Sequence, residues 1–145
     1  MKSTNLRESL TARAAATRVL VIDDDEFERE FVISLLIDAG FDASGFNAVV
    51  GVTNHLIKEN IGVVVIDVMM PTIRGDKLAK LLRGRPALAN LGIILISSLP
   101  EAELRPLIAA LEVDAFVSKA NVRAELASTV ARAASRNRLS SGGGG

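Results

Sequence analysis

Three short runs of nearly unbroken aliphatic residues constrain this chain more than any other feature: Val19-Leu20-Val21-Ile22, Val63-Val64-Val65-Ile66 and Ile93-Ile94-Leu95-Ile96. None alternates apolar with polar, and most positions are β-branched. That is the pattern of strands buried on both faces, as in a parallel sheet whose helical crossovers cover both sides. Each run ends on a polar residue, Asp23, Asp67 and Ser97 in turn, and a weaker block, Ala115-Phe116-Val117-Ser118, runs into Lys119.

Helical spacing fills the intervals. Phe27, Phe31, Leu35 and Ala39 recur every four residues, with Gly40 placed as a left-handed stop. Val49, Val52 and Leu56 predict a second helix, and Leu78, Leu81 and Leu82 a third that ends near Gly84 and Pro86. Leu104, Leu107, Ile108 and Leu111 predict a fourth, and Val122, Leu126, Val130 and Ala133 a fifth. A weak strand from Phe41 to Phe46 is needed between the first two helices. Successive βα units of this kind imply an α/β fold, a parallel sheet with helices on both faces. The 145 residues amount to one domain. We read residues 1–17 as a flexible or loosely helical arm, 18–136 as the folded domain, and 137–145 as a flexible Ser/Gly tail.

Composition narrows the chemistry. There is no Cys, which removes disulfides, thiolate nucleophiles and Cys-based zinc sites, and a single His, His55, which rules out a metal site built on several histidines within one chain. His55 itself is expected to be exposed and idle. Seventeen Lys and Arg balance seventeen Asp and Glu, a poor match to direct nucleic-acid binding or to a polybasic membrane surface. The apolar runs are far shorter than the roughly 20 residues that span a bilayer, and no secretory apolar segment precedes Thr17, so a cytoplasmic location is expected.

In an open parallel sheet, ligands bind beyond the carboxyl ends of the strands. Asp23, Asp24, Asp67, Ser97 and Lys119 would therefore converge from distant parts of the chain. Two carboxylates about 4 Å apart repel by about 4 kcal/mol at an effective dielectric near 20. Such a cluster calls for a cation, and Mg²⁺, which takes oxygen ligands from one or two carboxylates plus phosphate oxygens, suits it. Asp25 reads as the N-cap of the first helix.

With Val19 to Asp25, the stretch Asp67-Val68-Met69-Met70-Pro71-Thr72-Ile73-Arg74-Gly75, the pair Ser97-Ser98 and Lys119 all in order, the chain resembles the receiver domain of two-component response regulators from about Arg18 to Arg136. The resemblance implies a CheY-like, flavodoxin-like five-stranded parallel sheet of order 2-1-3-4-5. It also implies that Asp67 is the phosphoacceptor, and that Asp23, Asp24, Asp67 and the Met69 backbone carbonyl hold Mg²⁺. Ser97 and Lys119 would bind phosphate oxygens, and Phe116 would be the aromatic switch residue, without the hydroxyl of a Tyr. The implied partners are a histidine kinase or phosphotransfer protein upstream and a protein target downstream. The only chemistry implied is self-phosphorylation and self-dephosphorylation.

Three departures from that family carry expectations. Ala120 stands where Pro usually follows the Lys, so a trans bond there predicts an ammonium displaced from Asp67 by about 6 Å or more, outside salt-bridge reach. Pro106 falls inside the fourth helix and predicts a late start or a frayed turn before Leu107. Met69 and Leu99, apolar beside the pocket, predict slow hydrolysis because neither can orient a water. Two other functions compete. One is a docking module that no longer takes phosphate. The other is an Asp-nucleophile phosphatase, disfavoured because Met69 occupies the position of its second Asp.

Overall fold

The computed structural model describes residues 17–47 and 49–143, with side chains through Arg136; apart from Thr17, the expected N-terminal arm lies outside the described residues. Five strands alternate with five helices. In chain order they are β1 (Arg18–Ile22), α1 (Glu26–Asp38), β2 (Asp42–Phe46), α2 (Val52–Lys58), β3 (Val63–Asp67), α3 (Gly75–Arg83), β4 (Gly92–Ser97), α4 (Glu101–Ala109), β5 (Ala115–Ser118) and α5 (Val122–Gly143), with single 3₁₀ turns at Pro86–Leu88 and Lys119–Asn121. The strands form one sheet in the order β2-β1-β3-β4-β5, every pair parallel.

The aliphatic runs sit in the three central strands because period-2 geometry sends alternate side chains to opposite faces, and both faces are covered. Val19, Val21, Val63, Val65, Ile94 and Ile96 pack with Val32, Ile33 and Leu36 of α1 and with Val122, Leu126 and Val130 of α5. Leu20, Ile22, Val64, Ile66, Ile93 and Leu95 pack with Leu56 of α2, Leu78 and Leu82 of α3 and Leu104 of α4. β2, at the edge, has no fully buried residue, which is why its sequence Asp-Ala-Ser-Gly-Phe gives so faint a signal.

The structure corrects four expectations. In α1 the buried face is Val32, Ile33 and Leu36, while Phe27 is 90% exposed and Phe31 40% exposed, with the Arg123 guanidinium 4.9 Å from the Phe31 ring centre. Positions four apart drift about 40° per step around a 3.6-residue helix, so the Phe27–Ala39 series winds off the contact face. In α4, helix runs regularly through Pro106 from Glu101 to Ala109. Pro106 deprives only the Ala102 carbonyl of a donor, and Ala102 is exposed, so water can serve that oxygen. In α5 the backbone stays helical through residues 137–143, where composition suggested a flexible tail. Extending an existing helix adds one hydrogen bond per residue fixed, so weak helix formers there need not end it. Finally, His55 is half-buried, its ring 4.8 Å from that of Phe46 across the α2 face.

The expected stop at Gly40 is present, with φ +96°. Its N–H donates to Ile37 and that of Phe41 to Leu36, closing the end of α1 before β2 begins.

Candidate functional site

The carboxyl ends of β1 and β3 place two acids side by side. Asp23 is fully buried and Asp67 is 2% exposed. Both turn a carboxylate oxygen back onto the following loop: the Asp25 N–H donates to Asp23 Oδ1 at 2.9 Å and the Met69 N–H to Asp67 Oδ1 at 3.1 Å. These bonds occupy one oxygen of each acid. Asp23 Oδ2 is buried with no hydrogen-bond partner. The Arg29 guanidinium secures the strand end from behind, donating to the Asp23 carbonyl at 2.7 Å.

Helix α1 contributes a third acid. Asp25 caps the helix, accepting from the Glu28 N–H at 3.0 Å, so Glu28 stands in the first turn. Side chains on a helix lean toward its N-terminus, which carries the Glu28 carboxylate back over the strand ends. One oxygen from each of Asp23, Glu28 and Asp67 lies within 4.8 Å of the other two. The sequence reading missed Glu28: its five-residue offset from Asp23 crosses the loop, and only the cap at Asp25 sets its direction.

Lys119, at the end of β5, answers these charges. Its Nζ is 2.7 Å from Glu28 and 3.5 Å from Asp67 Oδ2. None of the described peptide bonds is cis, yet the ammonium reaches Asp67, so the displacement expected from Ala120 does not occur. The Lys119 stem, starting from the β5 end two strands away from β3, is long enough to reach the pocket from a trans backbone. Burial lowers the Lys119 pKa, but the hydrogen bond to Glu28 and the charges of Asp67, Glu28 and Asp23 together outweigh it and raise it above 10.5. Asp23 responds in the other sense. Burial foremost, with the charges of Asp67 and Glu28, pushes it up to about 7, against the lowering effects of the Asp25 N–H and Lys119.

Ser97 ends β4 fully buried, its Oγ accepting from the Leu99 N–H at 3.0 Å, which leaves the hydroxyl proton available as a donor. Phe116, part-buried in β5, packs against the α2–α4 side of the sheet. Asp24 is exposed, outside the three-carboxylate cluster. Met69 is 47% exposed, while Met70 is buried.

The loop after β3 depends on a close backbone approach. A Cβ built on Gly75 would lie 2.2 Å from the Asp67 carbonyl oxygen and 2.8 Å from the Val68 Cα, and the Gly75 N–H donates to the Val68 carbonyl at 2.8 Å. Position 75 therefore has no room for a side chain, and α3 starts directly against the residue that carries the acid.

The donor set fits a small divalent cation. All three groups are oxygen donors of the kind Mg²⁺ takes, and the partnerless oxygen of Asp23 is an acceptor with nothing yet to accept from.

A family model described as the response regulator receiver domain matches residues 19–131. Over 66 residues, 46% of this chain, the sequence is 33% identical to the CAI-1 autoinducer sensor kinase/phosphatase CqsS of Vibrio cholerae, and the match spans 10% of that protein. A response regulator receiver protein from Pseudomonas putida superposes with TM-score 0.71 at 29% identity, over 82% of this chain and 98% of that one. The chemotaxis response regulator CheY4 of Vibrio cholerae superposes with TM-score 0.71 at 22% identity, over 81% of this chain and 98% of that one, a likeness of fold.

Proposed function

The chain belongs to the response regulator receiver domain family of two-component signalling, and from that premise we propose that it receives a phosphoryl group on Asp67 and converts it into a change of protein-binding surface. The observation that carries this reading is the placement of Asp67: a nearly fully buried carboxylate with an ammonium at 3.5 Å and two further acids beside it. A carboxylate is a poor nucleophile toward a phosphorus bearing negative oxygens unless positive charge offsets the repulsion.

In the transfer, an Asp67 carboxylate oxygen attacks phosphorus and forms an acyl phosphate, while the donor's leaving group departs with the bonding electron pair. A phosphohistidine of a kinase or phosphotransfer protein is the proposed physiological donor. Asp23, Asp24, Asp67 and the Met69 carbonyl are the proposed holders of Mg²⁺, which when bound supplies charge neutralisation at the phosphoryl oxygens. Lys119 balances a further oxygen and Ser97 donates its hydroxyl proton to another. Ser97 then leaves its place at the end of β4, and Phe116 repacks into the space beside it. The product is a shift of population between two surfaces and not a released metabolite. No helix among the described residues is long and apolar enough to cross a membrane, and we propose action in the cytoplasm, where such kinases present their phosphohistidine.

Incubation with Mg²⁺ and acetyl phosphate tests the reading. One phosphate of added mass, absent in Asp67→Asn and without sustained turnover of other phosphate esters, is the expected result. No labelling would leave a docking module, and repeated ester turnover would mean a phosphatase.

A further inference from the structure

We propose that Glu28 is a direct ligand of the divalent cation in this chain, and that Lys119 occupies it until the cation arrives; this rests on the phosphoacceptor reading above. Two independent observations carry it. The first is the geometry: the Glu28 carboxylate comes within 4.8 Å of oxygens from both Asp23 and Asp67, from a helix turn held in place by the Asp25 cap. Two oxygens on one Mg²⁺ at 2.0–2.1 Å lie at most about 4.2 Å apart, so a small torsion of an exposed-end side chain such as Glu28 closes the set. The second is the buried, partnerless Oδ2 of Asp23. The ammonium contacts Glu28 and Asp67 but leaves Asp23 Oδ2, a buried acceptor, without a partner.

Lys119 lies closer to Glu28, at 2.7 Å, than to Asp67, at 3.5 Å. The ammonium thus sits between these two acids as a positive charge. Glu28, if it held the ion, would no longer hold Lys119, whose ammonium would be left to Asp67 alone, the residue whose incoming phosphoryl oxygens need it. Metal entry and the aiming of Lys119 become one event.

Calorimetric titration of the 145-residue chain with Mg²⁺, without any phosphodonor, tests this. Glu28→Gln should weaken the dissociation constant at least tenfold, and Glu28→Asp, which keeps the charge on a shorter stem, should weaken it nearly as much. Glu28→Gln at wild-type affinity or tighter would show Glu28 to be only a competitor for Lys119 and overturn the proposal. Glu28→Asp at wild-type affinity would reduce Glu28 to a distant charge and overturn it equally. Failure of the wild-type protein to bind Mg²⁺ would overturn both this proposal and the magnesium part of the reading it rests on. Asp67→Asn in parallel separates the two: loss of affinity there, with none in the Glu28 variants, would leave the parent reading standing alone.

Discussion

The ammonium of Lys119 lies 3.5 Å from Oδ2 of Asp67, bridging the end of β5 to the end of β3 across β4. This contact offsets charge on an acid that is almost wholly out of water. Removing one partner of a fully buried pair costs about 3–5 kcal/mol because the other charge is stranded. The Lys119 side chain is 25% exposed, so Lys119→Met should cost less, about 1–2 kcal/mol. Thermal unfolding in EDTA should show the loss as a drop in Tm of several degrees. Saturating Mg²⁺ should recover most of it, since the cation replaces the missing charge. A Tm unchanged in EDTA would mean that the pair contributes nothing.

Asp23 gives the fold a pH dependence of definite sign. Its pKa is about 7 in the folded chain against an ordinary 3.8, so between those values the folded state holds a proton that the unfolded state has released. Stability from this source is complete below pH 3.8 and is lost as pH rises through the window to about 7. Asparagine cannot ionise and escapes that loss. In EDTA, Asp23→Asn should therefore gain on wild type from about pH 4 to about pH 8, by at most about 4 kcal/mol at 1.36 kcal/mol per pH unit. Added Mg²⁺ should reverse the ranking, because bound metal stabilises the wild-type fold by mass action and the variant has lost a ligand. A difference between the two proteins that is flat across this pH range would contradict the assignment.

Gly75 is tested by a single methyl group. The Cβ of Gly75→Ala would overlap the Asp67 carbonyl, a backbone atom that cannot swing aside like the end of a side chain. Overpacking in a well-filled site costs about 1–3 kcal/mol, and a backbone clash belongs at the upper end. The variant should unfold at lower denaturant concentration and should also take phosphate from acetyl phosphate more slowly, because relief of the overlap moves Asp67. A stable variant labelling at the wild-type rate would show that the loop yields without disturbing the acid.

The strands and the polar residues that end them were legible because burial on both faces leaves an unbroken aliphatic signature, and because a parallel sheet aligns all strand ends at one edge. What the sequence concealed depends on how the helices are rotated. Phe27 and Phe31 outweigh Val32 and Ile33 in size and so suggest the wrong face of α1, yet helix orientation follows from contact with β1 and β2, which periodicity does not report. Glu28 was hidden for a related reason: it faces Asp23 and Asp67 only because the Asp25 cap sets where α1 begins. Pro106 was overweighted, since its cost falls on one carbonyl, that of the exposed Ala102. Ala120 was overweighted too, because the long stem of Lys119 absorbs a change of backbone that a short side chain could not.

The surroundings of Asp67 also set the lifetime of the phosphoryl group. Hydrolysis needs a water held in line behind phosphorus, and a side chain that orients or deprotonates it commonly contributes about 10²–10⁴-fold. Met69, two residues beyond Asp67, is half-exposed at the rim, and Leu99, after Ser97, is packed against the core; neither carries a group that can hold a water. The phosphorylated protein should therefore decay slowly, with a half-life of many minutes at 25 °C followed by release of inorganic phosphate. Met69→Asn places an amide at the exposed rim, where it can hydrogen-bond an entering water, and should shorten that half-life several-fold without changing Mg²⁺ affinity, since the ligand offered at position 69 is the backbone carbonyl. Decay of the wild-type protein within seconds would mean that another group already positions the water.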